Sequence, residues 1–318
     1  MLLVIMCIIT VVSTAITIVL NKEEVDENKD EIVIVTSFYP VYIATLNVVN
    51  GIDGVKVVNL MEQQGGCLHD YQLTTNDMKK LEQADVFIMN GAGMEGYVST
   101  IVEAYPELEV VDSSEGVSLL TIEGEVHSHS HEEDAEHTHT EEEEHSHDHG
   151  DYNSHIWLNP NNYVKQVENI MTALTEIDET HGVLYKANAE NYIAKVEALM
   201  EEMNGLQNPV NQEVVLFHDS MEYLLQPLGI EVAYSLGIEE ENSLSAGDVA
   251  TVIDEVRNHK IQVLFSEVQF EQSMADRIAE ETGASVVVLD SLVSGEVSLQ
   301  AYIDGMKKNL ETIKQVLY

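Results

Sequence analysis

The chain reads as an α/β protein of two lobes, each a parallel sheet flanked by helices, with one long α-helix bridging them. Three observations carry this expectation. From residue 31 onwards, short runs of β-branched and aliphatic residues alternate with stretches of helical period. That alternation occurs twice, once before residue 112 and again after residue 213. Between the two sets lies one sustained helical pattern of more than twenty residues. A chain of 318 residues has room for two such halves, each with its own core.

The elements come in a regular order. Residues 31–36 form an apolar, β-branched run of the kind a buried parallel strand needs. A helical stretch follows Pro40, and a Gly-Ile-Asp-Gly turn leads into a second strand at 55–60. Residues 74–83 read as a helix with a Thr/Asn start, and 84–89 as a third strand. A Gly-rich turn at 91–96 precedes a short helix at 97–105 and a fourth strand at 109–112. Residues 160–205 are helix-prone with a break at 179–182. The part after the break places Tyr185, Ala189, Tyr192, Val196, Leu199 and Met203 at three-to-four spacing. Such a helix spans about 30 Å, enough to cross a small domain or to link two. After Asn208-Pro209 strands are expected at 213–217, 230–234, 262–265 and 285–289, and helices at 221–226, 246–257, 272–282 and 299–316.

The N-terminal residues 1–20 carry no charged side chain and are mostly Leu, Ile, Val and Met. Such a run suits a membrane anchor or a long signal peptide, and it directs the rest of the chain across a membrane. It lacks a basic leading segment, and Cys7 is a poor lipid-attachment cysteine because bulky Met6 precedes it. The polar residues 21–30 read as a linker. The organisation is therefore 1–20 leader or anchor, 21–30 linker, 31–182 first lobe, 183–208 bridging helix and 209–318 second lobe. Cys7 and Cys67 are the two cysteines, and Cys7 lies in the apolar leader, so no intrachain disulfide is expected in the folded part.

The formal charge is −43, and removing the twelve acids of the 121–151 segment still leaves −31. A surface this negative repels nucleic acid and anionic lipid and attracts cations, which excludes nucleic-acid binding. The 121–151 segment is itself distinctive. His127, His129, His131, His137, His139, His145, His147 and His149, eight of the thirteen histidines, alternate there with acids. Neutral imidazole is the commonest protein ligand for zinc and related metals, and interleaved carboxylates concentrate cations. Alternating ligands on a flexible acidic loop cannot fix a tetrahedron, so this tract reads as an accessory, weak metal loop.

Three of the remaining histidines stand at more constrained places. His69 lies in Gly65-Gly-Cys-Leu-His-Asp-Tyr71, a Gly-opened loop after the second strand. His155 opens Ser154-His-Ile-Trp-Leu-Asn-Pro160, and His218 directly follows the strand ending at Phe217. Ligand groups of parallel α/β sheets gather beyond the carboxyl ends of strands, where His69, His218 and also Asp290 fall. Three imidazoles and one carboxylate suit tetrahedral Zn(II), and their spread over both halves puts the ion between the lobes. Glu267 is the rival to Asp290 for the carboxylate, though a buried structural role suits it better. Cys67 could coordinate, but a partly buried thiol is its plainer reading. His181 and His259 sit in helix-end contexts and are taken as structural.

The segments Gly66-Cys-Leu-His-Asp-Tyr-Gln-Leu-Thr74, His155-Ile-Trp-Leu-Asn-Pro160 and Phe217-His-Asp-Ser220, with the His/acid loop ahead of His155, resemble the motifs of one family. This is cluster 9 (A-I) of the metal-binding solute-binding proteins of ABC transporters, and within it the zinc-uptake branch. The resemblance covers residues 31–318 in the right order. It implies the helical-backbone metal receptor fold, with two α/β lobes, a rigid bridging helix and an ion held between the lobes. It implies His69, His155 and His218 as ligands and Asp290 as the carboxylate. It further implies that Zn(II) is cargo, handed to a membrane permease driven by a cytoplasmic ATPase. Manganese and iron members tend to carry a carboxylate where this chain has His218, and the softer three-His set favours zinc. The chain departs from zinc members that have a second-lobe disulfide, having no cysteine there.

The function expected is thus an extracytoplasmic, membrane-associated zinc receptor at the cell surface or in the periplasm, monomeric and not an enzyme. A metal-binding adhesin or zinc buffer is the alternative, since the His tract could store metal by itself. A secreted zinc hydrolase is the remote one. A three-His zinc can activate water, but no His-Glu-x-x-His helix is present and no Glu is placed as general base.

Overall fold

The computed structural model describes residues 31–61, 71–121, 152–206, 213–236, 246–268 and 273–318. The expected leader and linker, His69 with Cys67, and the His/acid tract lie outside the described residues. Among the described residues no helix is long and apolar enough to cross a membrane.

Two four-stranded parallel sheets organise the chain. The first contains β1 (Ile32–Thr36), β2 (Val55–Asn59), β3 (Val86–Met89) and β4 (Glu109–Asp112) in the order β2-β1-β3-β4. The second contains β7 (Glu213–Leu216), β8 (Glu231–Ser235), β9 (Val263–Glu267) and β10 (Ser285–Leu289) in the order β10-β9-β7-β8. Read from the opposite edge, the second order repeats the first, so the similar layout expected of the halves extends to their winding. In each sheet the winding reverses between the first and third strands, and that switch point opens a crevice at the carboxyl ends. A two-stranded antiparallel ribbon, β5 (Leu120–Thr121) and β6 (Tyr152–Asn153), stands between the two sets in sequence.

The second sheet shows how alternation builds the core. Val214, Leu216, Val263, Phe265, Val287 and Leu289 point into one large cluster shared with the first half. Their neighbours Val215, Phe217 and Leu264 point the other way, into a smaller cluster with Val252, Val256, Ala275 and Ile278. Those last residues come from α7 (Ala246–His259) and α8 (Ser273–Thr282).

The helices of the first half start and stop for local reasons. In α1 (Tyr39–Val48) the buried Thr45 and Asn47 satisfy their side chains on the carbonyls of Val41 (2.8 Å) and Ile43 (2.9 Å), one turn back. α2 (Thr75–Glu82) opens with a capping box. Thr74 Oγ1 accepts from the Asp77 amide at 3.2 Å, and Asp77 Oδ2 accepts from the Thr74 amide at 2.8 Å. α3 spans Val98–Ala104.

A helical hairpin joins the halves. α4 (Pro160–Ile177) begins with proline in its first turn, where a missing N–H costs nothing, and the Asn159 side chain accepts from the Asn161 amide at 2.9 Å. The chain turns at 178–181, where the Asp178 carboxylate takes the His181 ring at 2.6 Å and the Tyr185 hydroxyl at 2.8 Å. His181 is therefore structural, as expected. α5 (Gly182–Asn204) buries the six positions named by its spacing. At 23 residues it is about 34 Å long. Near its start, Asn188 donates to the carbonyls of Val48 (3.0 Å) and Asn50 (2.9 Å) in the first half. Just past its end, Leu206 accepts from the Tyr318 hydroxyl at 3.1 Å in the second half.

One expected helix takes another form. Residues 219–228 fold as a 3-10 turn (Asp219–Met221), a single α-turn α6 (Glu222–Leu225) and a second 3-10 turn (Gln226–Leu228). Pro227 has no amide to continue an α-helix, and Gly229, at φ 68°, closes the stretch. The final helix, α9 (Ala301–Leu317), packs back onto α5 and α1.

Candidate metal centre

The second sheet positions His218. The residue follows β7, and Glu267 ends β9, the neighbouring strand across the switch point. With Leu216 paired to Phe265, the two side chains face each other two residues further on. His218 Nδ1 lies 2.9 Å from Glu267 Oε1, which also accepts from the Ser220 hydroxyl. Both residues are buried. A carboxylate oxygen at Nδ1 keeps the proton there, which leaves the ring's lone pair on Nε2. Glu267 thus holds both the His218 ring and the Ser220 hydroxyl.

His155 comes from the other side, between β6 and a 3-10 turn (Ile156–Leu158). Trp157 fixes this turn. Its indole donates to the Ser291 carbonyl at 2.8 Å, its own carbonyl accepts from the Tyr302 hydroxyl at 2.8 Å, and its ring meets Phe38 edge-on at 5.1 Å. The His155 and His218 rings meet edge to face, centroids 4.7 Å apart at 84°. Asp219 Oδ1 lies 3.7 Å from His155 Nδ1 and 3.6 Å from His218 Nε2. Among the described residues, His155, His218 and Asp219 form a group whose potential ligand atoms all lie within 4.8 Å of one another. Burial pushes the Asp219 carboxyl up, while His218 beside it works in the opposite direction.

Of the sequence-derived ligands, then, the structure brings His155 and His218 together. His69 and the tract histidines lie outside the described residues. Asp290 ends up in the loop after β10, where Oδ1 accepts from the Leu292 amide at 2.9 Å and the backbone pairs with Asn309. Its neighbour Ser291 receives the Trp157 indole, so this loop abuts the His155 turn. The Asp290 carboxylate is not part of the three-atom group. His259 pairs with Glu213 and Glu255 at the surface, in keeping with a structural role.

Asp219 was not foreseen as part of the centre. Its signal was its place directly after His218. A 3-10 turn starting there folds residue 219 back towards the same crevice, but in so acidic a chain an Asp beside a His stands out little.

The first sheet supports His155 from behind. Glu95 is buried, with Oε1 accepting from the Asn90 amide (2.7 Å) and Oε2 from the Gly91 amide (3.0 Å). Burial raises its carboxyl to about 7, against the pull of these hydrogen bonds. Asn90 in turn donates to the Ser154 carbonyl at 3.1 Å, one residue before His155, and accepts from Gln166 at 3.0 Å.

Comparison with known proteins places this geometry in context. The family model "Zinc-uptake complex component A periplasmic" (ZnuA) matches residues 34–316. The zinc-binding protein AdcA of Streptococcus pyogenes serotype M3 is 30% identical over 286 residues, covering 88% of this chain and 55% of AdcA. The chain therefore spans little more than half of that relative's length. The high-affinity zinc uptake system protein ZnuA of Bacillus subtilis is 28% identical over 304 residues, covering 93% of this chain and 91% of the relative. Among solved structures, the solute-binding protein FpvC of Pseudomonas aeruginosa in complex with Mn2+ superposes with a TM-score of 0.73 at 24% identity, covering 90% of this chain and 98% of that one. This last likeness speaks for the fold.

Proposed function

Because the chain belongs to the periplasmic zinc-uptake component A family, we propose that it is an extracytoplasmic receptor that captures Zn(II) as cargo between its two lobes and delivers it to an ABC permease with its cytoplasmic ATPase. The observation that carries this reading is the meeting of two buried imidazoles, His155 and His218, contributed by separate parts of the chain, with a carboxylate beside both. Nitrogen-rich ligation with one carboxylate suits tetrahedral zinc, with Zn–N distances of about 2.0–2.1 Å. An oxygen-dominated set would favour harder ions such as Mn(II). His69 supplies the third imidazole in this proposal. Asp290 supplies the carboxylate by family resemblance, and Asp219 is the acid that the geometry brings to both rings. The site binds and releases an ion and performs no chemistry on it.

Titration of zinc against a competing chelator tests the reading. The wild type shows one tight site, and His218→Ala abolishes it. Asp219→Asn and Asp290→Asn identify the carboxylate, since only the ligand's loss weakens binding strongly. The ligands coordinate as neutral imidazoles, so affinity falls as pH drops through the histidine range near about 6.5. A His218→Ala protein that keeps tight one-site binding rejects the assignment.

A further inference from the structure

Asn153 belongs to none of the ligand sets above, yet its side chain touches both sides of the centre. It is the last residue of β6 and is buried. Its Oδ1 accepts from the His155 amide at 3.0 Å and lies 2.9 Å from His155 Nδ1. Its Nδ2 donates to the Asp219 carbonyl at 2.9 Å and to Glu222 Oε2 at 3.3 Å. Its own carbonyl accepts from the Tyr223 hydroxyl at 2.8 Å, and that hydroxyl accepts in turn from the Leu120 amide at 2.9 Å.

The partners determine which way the amide points. A backbone N–H can only donate, so the atom facing the His155 amide is oxygen. A backbone carbonyl can only accept, so the atom facing Asp219 is nitrogen. The oxygen at His155 Nδ1 has no proton to give. The ring must therefore carry its proton on Nδ1, and Nε2 holds the lone pair.

We propose that Asn153 is a positioning residue for metal capture. It fixes His155 in the Nδ1–H tautomer with Nε2 as the coordinating atom, and it ties that ring to the Asp219 backbone beside His218. The two imidazoles are thereby oriented by different means. His218 has a carboxylate behind it, and His155 has an amide whose other end grips the opposite side of the centre. The Asp219 carbonyl and Glu222 Oε2 both accept at the Nδ2 end, so a donor is required there, and an aspartate would lose both bonds while keeping an oxygen for His155. The proposal rests on the zinc-receptor reading for its role, but its structural core concerns the metal-free ring.

Nitrogen-15 NMR of the histidine rings in the metal-free protein reads the tautomer directly, and zinc competition reads its consequence. The wild type shows His155 protonated at Nδ1. Asn153→Ala shows a mixture of tautomers and binds zinc roughly ten- to a hundredfold more weakly, the usual effect of losing a partner behind a ligand. Asn153→Asp restores the acceptor, so it keeps the Nδ1–H form while losing the tie to Asp219. An Nε2–H ring in the wild type overturns the proposal, even if Asn153→Ala does not fold. So does an Asn153→Ala protein with unchanged ring shifts and unchanged affinity. Failure of the wild type to bind zinc at all would reject the receptor reading and leave the tautomer result standing on its own.

Discussion

Glu267 stands directly behind His218, its Oε1 2.9 Å from the ring Nδ1, on the strand next to the one that carries the histidine. The same oxygen takes the Ser220 hydroxyl from one turn further on. One buried carboxylate therefore orients the His218 ring and ties down the turn that contains Asp219.

Removing that carboxylate should weaken the centre without removing a ligand. Glu267→Ala is expected to lower zinc affinity roughly ten- to a hundredfold, because the ring loses its orientation and its Nδ1–H is left without its carboxylate. Glu267→Gln can still present an oxygen to Nδ1 and should fall between the two. Competition titrations of the three proteins check the order.

Glu95 makes stability depend on pH. Its folded-state value is about 7, raised by burial from an ordinary 4.5. The folded protein thus holds this proton more tightly than the unfolded chain. The group's contribution is fully present below about pH 4.5 and is lost as pH rises through about 7, a swing of roughly 3 kcal/mol. Glu95→Gln, which cannot ionise, should lack this slope. Melting temperatures of both proteins from pH 5 to 8 give the difference. Parallel curves would show that Glu95 is not the source.

Trp157 is the single tryptophan, and its ring lies 5.3 Å from that of His155. Zinc capture should change its fluorescence, and His155→Ala should remove the response. Trp157→Phe keeps an aromatic ring but leaves the Ser291 carbonyl without its donor, at a cost of about 1–3 kcal/mol in denaturant unfolding.

The His/acid tract can be removed at a point the backbone already prepares. Thr121 and Tyr152 face each other in antiparallel register. Replacing residues 122–151 by an Asn-Gly turn joins them as a hairpin, a connection that suits paired strands. On the receptor reading, the shortened chain should keep one tight zinc site and lose the weak ones. Loss of nearly all binding would favour a zinc buffer instead. Binding stoichiometry by calorimetry separates the two outcomes.

Much of this molecule was legible in its sequence because the signals are local. β-branched runs mark strands, since alternating side chains must fill both faces of a covered sheet. The three-to-four spacing from Tyr185 to Met203 named the buried face of α5 residue by residue. The Thr/Asn start marked where α2 begins, and the structure adds Asp77 as the other half of a capping box with Thr74. The helix expected at 221–226 came out as mixed turns, because Pro227 acts on backbone hydrogen bonds that a hydrophobic pattern does not register.

The sequence by itself determined the two-fold repetition of the α/β layout, the long helix between, and the residue types suited to a metal. It also singled out His69, His155 and His218 from a background of thirteen histidines. Only the tertiary structure decided that His155 and His218 meet, that Asp219 stands beside both, and that Glu267 and Asn153 each place an oxygen 2.9 Å from a ring Nδ1. The physical reason is that a ring's tautomer and a ligand's approach depend on atoms about 3 Å away in space. Strand register brings Glu267 to His218 and the fold brings His155 to His218 from distant parts of the chain, while the near neighbours Asn153 and Asp219 reach the rings only through the turn geometry around them; none of this leaves a periodic trace in the sequence.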